Sequence, residues 1–251
     1  DTLEEDIGQE GNIHTVVMAD EALFVFANKQ MIEGVSNNLA KRFSNVTIVA
    51  FVRRPSDYLV SAYSQAIKMG ARKRWNDYLS EIVSNPKNSE IFKKKLMAWK
   101  KYSTYDDFVV QPLRGDILEQ FSSATRLDLA LPSASSGQNA ALSAAGIQIL
   151  RRINELCGAS RNRPPRVRKA FERLATGTKW SPPSRDLKRI DKAFEAEMLD
   201  ICEIFQLSID DRKFISDFSI PKKSEDEQIP MTEDSVDELA RIFLELARSH
   251  R

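Results

Sequence analysis

The sequence predicts an α/β fold in which a parallel sheet with flanking helices is followed by a helical second half. Three observations predict it. The stretch 45–52 (NVTIVAFV) is nearly continuous in apolar residues, as expected of a strand covered on both faces by helices. The candidate strands of the first half are separated by segments of helical period, the pattern of βαβ units. Beyond about residue 130 only the helical period persists.

Taken in order, 13–18 (IHTVVM) is β-branched and predicts a buried strand that ends in the acidic pair Asp20 and Glu21. Apolar residues at Met31, Ile32, Val35, Leu39 and Phe43 predict a helix over 28–43. The strand at 45–52 is followed by Arg53, Arg54 and Pro55, and proline suits the first turn of a helix running to about Met69. Helices are expected at 75–83 and 89–101, and a further strand at 108–113 (FVVQPL). The second half predicts helices at 117–122, 143–156, 165–174, 184–205, 210–218 and 232–249. We expect one α/β domain over 1–251, with its sheet in 1–130 and a mostly helical part in 131–251. The visible strands are few for such a sheet, and 1–11 (DTLEEDIGQEG) reads as the end of an amphipathic helix, so the sequence predicts that an N-terminal strand and loop are missing.

A chain of 251 residues with 42% hydrophobic residues can build a sizeable core. Its formal charge of +1 gives no global attraction to nucleic acid or to an acidic membrane, so any anion site must be local. Cys157 and Cys202 are far apart and lack metal spacing, which fits buried thiols in a reducing compartment. No apolar run approaches the ~20 residues that span a bilayer, and a cytoplasmic protein without a membrane span is expected. No metal constellation and no Ser/His/Asp or Cys/His arrangement can be argued from the spacing.

Chemistry concentrates at the end of the 45–52 strand. Ligands of open α/β sheets bind beyond the carboxyl ends of the strands, where helix N-termini offer backbone N–H groups. Arg53 stands at that end, and Ser61 follows about two helical turns later. A guanidinium fork and a hydroxyl both donate to phosphate oxygens, so the pair predicts a phosphomonoester site. The ordinary alternative is a solvated strand end beside an N1 proline, with Ser61 a small helix residue.

The segment 47–65 (TIVAFVRRPSDYLVSAYSQ) resembles the 3'-phosphate-binding strand and helix of sulfotransferases that use 3'-phosphoadenosine 5'-phosphosulfate (PAPS). Arg53, Pro55, Asp57 and Ser61 match the family pattern, and Tyr63 and Gln65 continue it. Looser likeness to bacterial sulfotransferase-like proteins extends over 16–21, 108–129, 139–154 and 179–205. The resemblance implies a P-loop-kinase-like sulfotransferase fold, PAPS as co-substrate, no metal, and roles for Arg53 and Ser61 on the 3'-phosphate. It implies transfer of a sulfuryl group to a hydroxyl or amine acceptor, with a carbohydrate one candidate. The family's other signature, a KxGTT-type phosphosulfate loop, does not occur in these residues. Either a preceding segment supplies it or the chain is a noncatalytic relative that binds a 3'-phosphorylated nucleotide such as PAP.

A general base would take the acceptor proton, and Glu21 is the candidate, with helix capping by Asp20 and Glu21 the ordinary alternative. His14 and His250 are weaker candidates. Arg72, Lys73, Arg74 and Trp75 could line an acceptor cleft, although a solvated basic turn is the simpler reading. The densest positive run, 161–169 (RNRPPRVRK), would serve a nucleic-acid-binding module, but it lacks interleaved aromatics. Trp99 and Trp180 are expected to pack in the interior, and Lys93, Lys94 and Lys95 to form a solvated face.

Overall fold

The computed structural model describes residues 15–20, 22–25, 27–85, 90–103, 105, 107–127, 142–157, 179–216 and 232–249. In chain order the elements are α1 (Ala22–Val25), α2 (Lys29–Ala40), β1 (Ile48–Val52), α3 (Pro55–Lys68), α4 (Trp75–Val83), α5 (Ile91–Tyr102), β2 (Phe108–Pro112), α6 (Ile117–Thr125), α7 (Ala144–Cys157), α8 (Ser184–Ile204), α9 (Ile209–Ser216) and α10 (Glu233–Ser249). They form a mixed α/β structure with a small two-stranded parallel sheet and mostly helices. The chain falls into two compact units, Asp1–Val46 with Lys95–Tyr105, and Thr47–Lys94 with Asp106–Arg251.

In the first unit, α2 starts where Asn28 accepts a hydrogen bond from the Met31 N–H at 3.0 Å, an ordinary side-chain cap. Its buried positions, Ile32 and Ser36, lie four residues apart on one face. Leu96 and Trp99 are buried, and the Trp99 indole donates to the Leu23 carbonyl at 3.3 Å. Trp99 therefore packs as expected. The strand expected at 13–18 is not formed over its described part: Thr15 to Met18 carry no ladder, and Val17 and Met18 are about half exposed. A strand needs a partner to satisfy its N–H and C=O groups, and among the described residues β1 and β2 pair only with each other.

The sheet lies in the second unit. β1 and β2 run parallel with Ile48 opposite Phe108 and Val52 opposite Pro112, so their carboxyl ends meet at one edge. The Leu113 N–H donates to the Val52 carbonyl at 2.8 Å and carries the pairing one residue further. Pro112 closes the last paired position, where a missing N–H is tolerated.

Helix α3 begins with Pro55 at N1, as the sequence requires, and ends in a Schellman-type turn. Gly70 sits there at φ 109°, which favours glycine, while the Ala71 N–H reaches back to the Ala66 carbonyl at 2.8 Å. One face of α3 buries Leu59, Val60, Tyr63 and Ile67. Tyr63 and Ile67 join Leu142, Ile147, Leu150 and Ile153 in a core closed by Ala240 of α10. The Trp75 ring, edge-on, and the Trp180 ring, tilted, each stand 5.2 Å from Tyr63, so both tryptophans pack into this core.

Helix α8 packs on α3, α4 and α9. Its buried stripe runs through Ile190, Phe194, Met198 and Ile201, a helical spacing visible in the sequence. Two acids, Asp191 and Glu197, are buried on the same stripe, and each serves the start of another helix. The three lysines of α5 depart from expectation. Lys94 is exposed, but Lys93 pairs with Asp200 and Lys95 is half-buried over the Phe24 ring, so they do not form one solvated face. Burial lowers the pKa of Lys95. Cys202 is a free buried thiol.

Candidate functional site

The turn from β1 into α3 is built by three consecutive residues. Val52 is buried at the strand end, Arg53 projects into solvent, and Arg54 takes the N-cap position without a side-chain capping bond. Along α3, the exposed residues Asp57, Ser61 and Gln65 are spaced by four and form a solvent stripe opposite the buried face. Arg53 and Ser61 are therefore both open to solvent, one before the helix and one two turns along it.

The helix start carries a residue that sequence reasoning missed. Asp191 of α8 is fully buried and accepts from both the Ser56 N–H and the Ser56 hydroxyl, each at 3.0 Å. A carboxylate at a helix N-terminus is favoured by the dipole and by the orphan donors there. Burial nonetheless raises the Asp191 pKa, against the lowering effect of the Ser56 hydrogen bonds and the Arg54 charge. Pro55 has no N–H, Ser56 donates to Asp191, and the Tyr58 N–H returns to the Arg54 carbonyl at 3.0 Å. Much of the helix terminus expected to hold an anion is thus already engaged, and the side chains of Arg53 and Ser61 stand as the open donors.

A second cationic residue comes from the neighbouring strand. Arg54 and Arg114 each lie two residues past the paired positions Val52 and Pro112. Their guanidiniums approach the Phe214 ring of α9 at 5.7 and 4.8 Å from its centroid. Arg114 forms an ion pair with Asp211 at 2.7 Å. The Nε atoms of both arginines are buried without a hydrogen-bond acceptor among the described residues. The loop that presents Arg114 is fixed by Gln120, whose side chain accepts from the Arg114 N–H at 2.7 Å and donates to the Pro112 carbonyl at 2.9 Å. Asp116 caps the following helix through the Leu118 N–H.

The remaining expected residues fall as follows. Glu21, His14, His250 and the run 161–169 lie outside the described residues, and Asp20 is exposed. Lys73 pairs with Glu81, and Arg74 pairs with Glu233 at 2.9 Å. Trp75 turns inward and donates its indole N–H to Asp186 at 2.9 Å. The basic turn 72–74 is thus solvated and ion-paired beside a packed tryptophan.

Two surface grooves flank α4. One of about 370 Å³ lies between α4 and α8, and one of about 390 Å³ lies beside Tyr63, Tyr78 and the Lys73–Glu81 pair. Arg53 and Ser61 line neither. Burial raises the pKa of Tyr63 and of Tyr78 to about 12, so both phenols are neutral donors. The Tyr63 hydroxyl donates to the Lys73 carbonyl at 3.0 Å.

Asp191 and Arg114 had partial signals in the sequence. An acid placed between Ile190 and Phe194 on an apolar helical stripe must find a buried partner, and that pattern marks Asp191. Arg114 follows a strand as Arg53 does, and only the parallel register brings the two strand ends together. Among the described residues, no group of three His, Cys, Asp or Glu side chains could hold a metal ion, and no helix is long and apolar enough to cross a membrane. No protein-family model, no curated protein and no solved structure matches this chain.

Proposed function

We propose that this chain binds the 3'-phosphate of a PAPS-type nucleotide through Arg53 and Ser61, and that it is the nucleotide-binding part of a sulfotransferase of P-loop-kinase-like fold. The observation that carries the reading is local. A parallel strand ends in an exposed arginine, turns at an N1 proline, and presents an exposed serine two turns along the helix. That is the arrangement the 47–65 motif implies, and both side chains are exposed among the described residues. The guanidinium gives a charge-assisted pair of donors, and the serine hydroxyl adds a third.

In the reaction, the acceptor hydroxyl or amine attacks sulfur, the bond from sulfur to the 5'-phosphate oxygen breaks, and PAP leaves. A base removes the acceptor proton. The donors expected at the reacting sulfur belong to a KxGTT-type loop that is not in residues 1–251. Nucleotide binding is therefore the part of the proposal that Arg53 and Ser61 support.

Thermal unfolding with PAP and with 5'-AMP tests it, since the two differ in the 3'-phosphate. PAP should raise the Tm and 5'-AMP should not. Each charge-assisted hydrogen bond contributes about 1.5–3 kcal/mol, so Arg53→Ala should weaken PAP by roughly ten- to a hundredfold. Equal shifts by both nucleotides would dispose of the 3'-phosphate reading.

A further inference from the structure

The groove between α4 and α8 is lined by neither Arg53 nor Ser61. Its walls carry two pairs of polar side chains, each spaced by four residues on its helix: Asn76 and Ser80 on α4, Arg185 and Arg189 on α8. Leu79, only 2% exposed, lies between Asn76 and Ser80 on the α4 side. Asp186 completes the lining.

The walls are held in place. The Trp75 indole donates to Asp186 Oδ2 at 2.9 Å, tying the first turn of α4 to the first turn of α8. Trp75 is itself fixed edge-on between Tyr63 and Trp180. A groove pinned at one end in this way keeps its width without a ligand, which lowers the ordering cost of binding.

The charge in it is unbalanced. Asp186 is the acid of the groove, and both its oxygens face protein donors: Trp75 on one side, the Arg185 Nε at 3.7 Å on the other. Arg189 is exposed and has no acid within ion-pair distance among the described residues. Two guanidiniums against one engaged carboxylate leave the groove cationic.

We propose that this groove binds an oxyanion ester of a small hydroxylated molecule, a phosphate or sulfate monoester. The guanidiniums of Arg185 and Arg189 hold the tetrahedral anion, whose terminal oxygens accept more donors than a carboxylate offers. The Asn76 amide and the Ser80 hydroxyl, which both donate and accept, take the hydroxyl groups beside it. A volume of about 370 Å³ lies at the lower end of the range for small-molecule sites, which suits a single sugar ring or a molecule of that size. The inference does not depend on the nucleotide reading.

Titration of the full chain with glucose 6-phosphate, inorganic phosphate and glucose, followed by calorimetry, tests the proposal. Glucose 6-phosphate should bind more tightly than inorganic phosphate, and glucose should not bind. Arg189→Gln and Arg185→Gln should each weaken glucose 6-phosphate at least fivefold with an unchanged Tm, because both side chains are exposed. Arg53→Ala should leave this binding unchanged, which separates it from the nucleotide site. Asn76→Ala should reduce the preference for the sugar ester over inorganic phosphate. No binding, equal binding of inorganic phosphate and the ester, or binding that survives the Arg185→Gln/Arg189→Gln double variant would each overturn it.

Discussion

At the scale of single residues, two buried acids on α8 determine how the second unit responds to mutation and pH. Asp191 satisfies a backbone N–H and a hydroxyl, so Asp191→Ala strands both donors in a place without solvent. We expect it to cost about 2–4 kcal/mol of stability. Asp191→Asn keeps an acceptor for the Ser56 N–H and removes the buried charge, so it should cost much less; urea titration of the two variants separates charge from hydrogen bonding. Removing that charge beside the helix start should also leave PAP affinity equal or tighter, because an ionised Asp191 repels a nearby phosphate.

Glu197 is the pH-sensitive member of the pair. It is buried and accepts from the Lys93 N–H at 2.8 Å. Burial raises its pKa to about 7, with the hydrogen bonds from Lys93 and Phe92 and the Lys93 charge opposing and Glu90 assisting. A carboxyl whose folded pKa lies above its unfolded value binds its proton more tightly in the folded state. Its contribution is fully present below about pH 4.5 and is lost as pH rises through about 7. Asp191 acts in the same direction, since its pKa is also raised. We expect the slope of stability against pH between about 4.5 and 7 to be more positive in Glu197→Gln than in the parent chain. An identical slope would remove Glu197 from this role.

At the scale of elements, α3 is clamped at both ends by side chains from the helical half of the sequence. Asp191 holds its start, and Asn154 of α7 donates to the Ile67 carbonyl in its last turn at 2.9 Å and to the Ala71 carbonyl just beyond it at 2.7 Å. Orphan carbonyls at a helix end need such donors when they are buried. Asn154→Leu should destabilise the chain by about 2–3 kcal/mol, by urea titration, and loosen the turn at Gly70. An effect below about 0.5 kcal/mol would mean that water replaces the amide without loss.

The same element shows what the sequence made legible. Pro55 after the strand end placed α3, and the apolar run placed β1. The helix expected around 75–83 is α4. The strand expected through Thr15 to Met18 was misread because β-branched residues report propensity, whereas a strand exists only with a partner. The clamps of α3 were not legible, since they join residues 135 and 87 positions apart. Arg53 and Ser61 were named from the strand end and from the resemblance of 47–65, whereas their exposure, and the occupation of the helix start by Asp191, needed the structure.

At the scale of the whole molecule, charge and core set the remaining expectations. A formal charge of +1 gives no long-range steering of anions, so PAP binding should fall with salt only as one local charged contact requires. The hydrophobic core of the second unit depends on the α8 stripe, and Phe194, 2% exposed and edge-on to Phe92 at 6.0 Å, fills it. Phe194→Ala should cost about 3–5 kcal/mol in urea titration, and a cost under about 1 kcal/mol would show that the stripe repacks.

The central claim concerns a single phosphate, and calorimetric titration with PAP of the parent chain and of Arg53→Ala meets it most directly. We expect saturable binding to the parent, weakened by roughly ten- to a hundredfold in the variant, with 5'-AMP inert to both. Equal PAP affinity in the two proteins would contradict it.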